Sequence, residues 1–95
     1  MTERTYAINA ILNLQDAGWT LTRASDGEET ITPTSATAAV EHVMATEHGA
    51  VRLVKGEHRV TLSMLFQGGD GEDCIYDYSS NADLDEIARI IALPR

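Results

Sequence analysis

The chain has 95 residues, 43% apolar and 23% charged, with a formal net charge of −8 and a pI near 4.6. That length suits one domain with a modest core, and the composition is that of a chain that folds. Seven Lys and Arg against fifteen Asp and Glu argue against direct binding to nucleic acid, which needs cations to displace condensed counterions, and against an anionic membrane surface.

The first predicted element is a helix over about residues 3–17, with Thr2 or Thr5 as its cap. Ile8, Ile11, Leu12 and Gln15 form one stripe, flanked by Ala7 and Leu14. Gly18 suits a left-handed C-terminal cap, and Trp19 can fold back onto the last turn. Trp19 to Arg23 then alternates as a strand. Ser25-Asp26-Gly27 signals a tight hairpin, with a return strand from Glu28 to Thr32 that Pro33 ends.

A second helix is expected from about Ser35 to His48, capped by Thr34 or Ser35. Its apolar face is Ala36, Ala39, Val40, Val43 and Met44, and Gly49 is placed as its terminator. Val51 to Val54 and Val60 to Phe66 read as two strands joined at Lys55-Gly56-Glu57. An acidic, Gly-rich loop from Gly68 to Asp73 leads to a fifth strand, Cys74 to Tyr78. The last helix, capped by Ser80 or Asn81, carries Leu84, Ile87, Ala88 and Ile91 at helical spacing, and Pro94 stops it.

The predicted order is αββαβββα, an α+β domain spanning residues 1–95. Its sheet is five-stranded and mainly antiparallel, because the connections are short. The three amphipathic helices should bury their stripes on one sheet face, with Trp19, Leu21, Val60, Leu62, Phe66, Ile87 and Ile91 in the core. A small sheet with an edge strand can also form a homodimer.

Cys74 is the single cysteine, so no intrachain disulfide forms, and a reducing cytoplasm is the expected compartment. Met1 to Thr5 is not a signal peptide, and no stretch has the roughly 18 apolar residues of a membrane span. No catalytic residues, metal or cofactor are expected. His42 and His48 are six apart, off the spacing of three or four that a helical metal pair uses. The loop at Asp70-Gly71-Glu72-Asp73 lacks the ligand order of a calcium loop. Its glycines enter a strand among carboxylates, whereas a phosphate cradle opens a helix. Carboxylates beside Cys74, Asp73 and Asp77, raise a thiol pKa and lower its reactivity.

The charge map is the strongest functional signal. From Gln67 to Ala88 there is no Lys or Arg, while Asp70, Glu72, Asp73, Asp77, Asp83, Asp85 and Glu86 all fall there. Asp83, Asp85 and Glu86 also suit a helix start, where they oppose the helix dipole. Arg52, Lys55, His58 and Arg59 gather around one hairpin. The seven carboxylates form the expected partner-binding surface, directed at a basic protein.

Ala17-Gly18-Trp19, Asp26-Gly27-Glu28-Glu29 and Asp77-Tyr78-Ser79-Ser80-Asn81 together resemble a pattern in small orphan proteins of bacteriophages and prophages, from about Tyr6 to Ile91. There an initial helix runs into a hairpin, and a late strand precedes a final helix. The resemblance implies a mobile-element origin, and no catalytic residue carries over from it. It points to an inhibitor of host defence, with anti-CRISPR proteins that bind a Cas protein or surveillance complex as the leading type. The alternative is a phage accessory module that binds some other protein and has no anti-defence role.

Overall fold

The computed structural model describes residues 2–69 and 71–95, with the backbone alone at Glu72. Helix α1 is Glu3–Asp16, α2 is Ala36–Met44 and α3 is Leu84–Ile91. The strands are β1 (Thr20–Ser25), β2 (Thr30–Ile31), β3 (His48–Lys55), β4 (His58–Leu65) and β5 (Ile75–Ser80), with a 3-10 turn at Glu72–Cys74. The order is αββαβββα. The sheet runs β2-β1-β3-β4-β5, and every pairing is antiparallel.

Local chemistry sets the helix ends. Thr2 accepts the Thr5 amide and Ser35 the Ala38 amide, so each cap satisfies a donor that the first turn leaves free. After α1, Gly18 turns left-handed at φ 99°. Its amide bonds the Gln15 carbonyl, and the Trp19 amide bonds that of Leu14, which is the two-bond Schellman arrangement. Trp19 is thereby folded back into the core, 5% exposed.

The register places Ala24 of β1, Val51 and Leu53 of β3, and Val60, Leu62 and Met64 of β4 on one sheet face, all fully buried. The helices cover that face. Ala7, Ala10, Ile11 and Leu14 of α1, Val40 and Val43 of α2, and Ile87, Ile90 and Ile91 of α3 join the same core. Among the described residues, no helix packs on the other face.

Several expectations need correcting. The buried face of α1 is Ala7, Ala10, Ile11 and Leu14, while Ile8, Leu12 and Gln15 are only half-buried. Asn13 is buried too, because its amide donates to the carbonyls of Ile91 (3.3 Å) and Leu93 (3.0 Å) just past α3. Leu21 is half-buried and packs at the margin of the core. The return strand β2 is only Thr30–Ile31, because the Asp26 carboxylate takes the amides of Glu28 (2.9 Å) and Glu29 (2.7 Å) within the turn.

Helix α2 ends at Met44, and His48 belongs to β3. Glu47 makes the left-handed turn between them at φ 65°. Gly49, expected to stop the helix, is a buried residue of β3. A Cβ there would lie 2.0 Å from the Ser25 carbonyl oxygen, so glycine is required by the close approach of β1. The cap of α3 is Asp83, whose carboxylate accepts the Asp85 amide at 2.9 Å, in place of Ser80 or Asn81.

Candidate functional site

Ser80 and Asn81 hold the start of β4. Ser80 Oγ donates to the Arg59 carbonyl at 2.6 Å. Asn81 accepts the Arg59 amide at 2.8 Å and donates to the Glu57 carbonyl at 3.1 Å. These bonds tie the chain entering α3 to the β3–β4 turn and fix the walls of a groove between them. Its volume is about 350 Å³. Ala82 and the edges of the buried Trp19, Ile87 and Ile90 form its apolar floor, Asp83 and Glu86 supply carboxylates, and Lys55 and His58 form the opposing side.

The charges of this groove are unequally free. The Lys55 ammonium is already engaged, donating to the Ala17 carbonyl at the end of α1 at 2.8 Å. Lysine there complements the carbonyls that the helix end leaves unpaired. Asp83, Asp85 and Glu86 crowd the N-terminus of α3, where the helix dipole stabilises negative charge. Glu86 and Arg89 approach at 3.9 Å with both side chains largely exposed, a pair worth little in water. The net character of the rim is acidic.

The seven expected carboxylates are not gathered into one patch. Asp83, Asp85 and Glu86 share the start of α3 at one end of β5. Asp73 lies in the 3-10 turn at the other end, roughly 17 Å away along five strand steps. Asp77 projects from the middle of β5 onto the open sheet face, opposite Ser63. Asp70 lies outside the described residues, as does the side chain of Glu72.

The basic residues of the β3–β4 hairpin are divided as well. Lys55 and His58 face the groove, whereas Arg52 and Arg59 alternate onto the open sheet face. His48 is also exposed there, stacked on Tyr76 with ring centroids 6.2 Å apart and its Nε2 3.1 Å from the Tyr76 hydroxyl.

Reactive side chains are held in structural roles. Cys74 is fully buried. Burial, then the nearby Glu3 carboxylate, pushes its thiol up to about 11, so it stays protonated and a poor nucleophile. No local sequence pattern marks Glu3, yet its carboxylate accepts the amides of Gln67 (3.1 Å) and Gly68 (2.6 Å) and pins the loop after β4. His42 Nε2 lies 3.0 Å from the Glu29 carbonyl. Among the described residues, no three His, Cys, Asp or Glu side chains converge in a metal-binding group, and no helix is long and apolar enough to cross a membrane. No protein-family model, curated protein or solved structure matches the chain.

Proposed function

We propose that the chain is a non-enzymatic binding protein whose acidic groove at the start of α3 docks on a basic surface of a host defence protein. The observation that carries this reading is the pairing of an apolar floor with an acidic rim. Ala82 and the exposed edges of Trp19 and Ile90 can take the aliphatic stem of a long cationic side chain, and Asp83 and Glu86 can take its charged head. The resemblance to phage and prophage proteins supports host defence as the target, with a Cas protein or surveillance complex as the leading partner. Carboxylates seated on cations that otherwise hold phosphates would exclude nucleic acid from that surface.

The test is phage plaquing on CRISPR-immune bacteria that express the chain. Protection of the phage is expected, and the D83N/D85N/E86Q variant should lose it while D73N/D77N keeps it. Protection that survives the first variant removes this interface. Absence of protection in every CRISPR type tested removes the anti-defence reading and leaves the accessory binding module.

A further inference from the structure

The uncovered face of the sheet carries charge of the opposite sign to the rest of the molecule. Its side chains fall into cross-strand rows. One row is Ser25, Ala50, Ser63 and Asp77; the next is Arg23, Arg52, Thr61 and Ser79; a third holds Thr20, Val54 and Arg59. Of the seven Lys and Arg, Arg4, Arg89 and Arg95 pair with carboxylates and Lys55 bonds a carbonyl. Arg23, Arg52 and Arg59 have no ion pair among the described residues, and all three project from this face.

Arg23 and Arg52 are direct cross-strand partners. Cβ atoms in such a pair lie roughly 5 Å apart, and like charges so placed repel. A backbone irregularity creates the pair. The register passes from Leu21–Leu53 to Arg23–Arg52, leaving Thr22 as an extra residue in β1. Its hydroxyl donates to the Arg52 carbonyl at 3.1 Å. With an unbroken register Thr22 would face Arg52, and Arg23 would turn toward the core beside Val51. Bulges commonly re-aim a side chain in this way. Arg23 and Arg52 line a hollow of about 150 Å³ together with Ser25, Thr30, Ala50, Val51 and Thr61.

We infer that this hollow binds a phosphate group carried by a small molecule or free in solution. Two cross-strand arginines and the hydroxyl residues Ser25, Thr30 and Thr61 offer more donors than a carboxylate can accept, since one guanidinium already satisfies both carboxylate oxygens. A dianionic phosphate has the oxygens and the charge to engage both arginines and to cancel their repulsion. The volume suits one anionic group and is well below the roughly 300 Å³ at which whole-ligand pockets begin. A nucleic-acid strand is the weaker match, because three arginines on a chain of net charge −8 release few counterions against a long-range repulsion. Asp77 places a carboxylate on this face, separated from Arg52 by strand β4.

The test is titration of the whole chain with inorganic phosphate, and separately with glycerol 3-phosphate, against chloride at matched ionic strength. It is read by side-chain NMR of the arginines and by melting temperature. Saturable one-to-one shifts at Arg23 and Arg52 are expected. Binding should weaken at least tenfold in R23Q and in R52Q and stay unchanged in R89Q. Phosphate also stabilises proteins by exclusion from their surface. That effect acts on all variants alike, so the difference between them carries the result. Inorganic phosphate binding without the ester identifies the free ion as the source; binding of both identifies the phosphate group itself. Shifts that fail to saturate, or that persist equally in R23Q and R52Q, overturn the site. Binding of a single-stranded oligonucleotide with neither small phosphate bound overturns the small-ligand assignment.

Discussion

Replacing Gly49 by alanine adds one methyl group at the tightest point between β1 and β3. The new Cβ would lie 2.0 Å from the Ser25 carbonyl oxygen and 3.1 Å from the Asp26 Cα, whereas real Cβ atoms essentially never approach within 3.0 Å. The obstructing atoms are backbone, so no side chain can rotate away. Strand β1 must withdraw by about 1 Å, and the pairing of Ser25 with Ala50 and the bond from the Thr46 hydroxyl to the Asp26 carbonyl go with it. Overpacking of this kind costs about 1–3 kcal/mol, and a backbone clash belongs at or above the upper end. The lower unfolded-state entropy of alanine returns about 0.4–1 kcal/mol. A net loss of about 2–3 kcal/mol follows. With a urea dependence of about 1–1.5 kcal/mol/M for a domain this small, the unfolding midpoint should fall by about 2 M. Trp19, the single tryptophan, is buried and reports unfolding by fluorescence. Gly69 has nothing within 4 Å of its would-be Cβ and no positive φ, so G69A should leave the midpoint in place. A G49A midpoint equal to that of wild type would refute the close-approach argument.

Leu62→Ala empties a fully buried position in the central strand β4, and chemical denaturation should show a loss of about 2–5 kcal/mol. Asn13→Ala leaves the Ile91 and Leu93 carbonyls without their donor, which should cost about 1–3 kcal/mol and speed amide exchange after α3. The Asp26 carboxyl is held below its usual value of 3.8, chiefly by the amides of Glu29 and Glu28. A depressed acid stabilises the fold above its unfolded pKa and loses that contribution as pH falls through the folded value. Wild type should therefore lose stability below about pH 4 more steeply than D26N, whose amide oxygen can accept the same bonds without titrating; parallel curves would exclude this source. The Cys74 thiol, raised to about 11, should resist alkylation by iodoacetamide at pH 8 in the folded chain and react freely in urea.

Periodicity made the fold legible where one rule acted alone. The alternation from Val60 to Met64 and the spacing of Ile87 and Ile91 each admit a single buried face, and strand β4 and the buried stripe of helix α3 lie as expected, although α3 starts only at Leu84. Sequence pattern and structure part where two rules compete for one residue. Gly49 satisfies the usual signal for a helix stop, but its small size serves contact with Ser25, and Glu47 takes the left-handed turn at the expense of its own backbone comfort. Ser80 and Asn81 are good caps by type, yet the amide and carbonyls at the start of β4 claim them first. Asn13 breaks the apolar face of α1 because its partners lie far along the chain, past α3. No local pattern announces a contact of that range.

The candidate surfaces expose the same limit in electrostatic form. The run from Gln67 to Ala88 looks like one acidic patch because sequence distance stands in for spatial distance. A strand lies within that run, and an extended strand carries its two ends apart, so Asp73 and Asp83 mark opposite ends of the sheet. The converse holds for Arg23 and Arg52. They are far apart in the chain, and a one-residue bulge sets them side by side. Net charge averages over both effects and describes neither surface. The acidic groove and the arginine face project from different parts of the molecule and lack shared residues. Neutralising Asp83, Asp85 and Glu86 should therefore leave phosphate titration at Arg52 nearly unchanged, because exposed charges a Debye length apart, about 8 Å at physiological ionic strength, are largely screened.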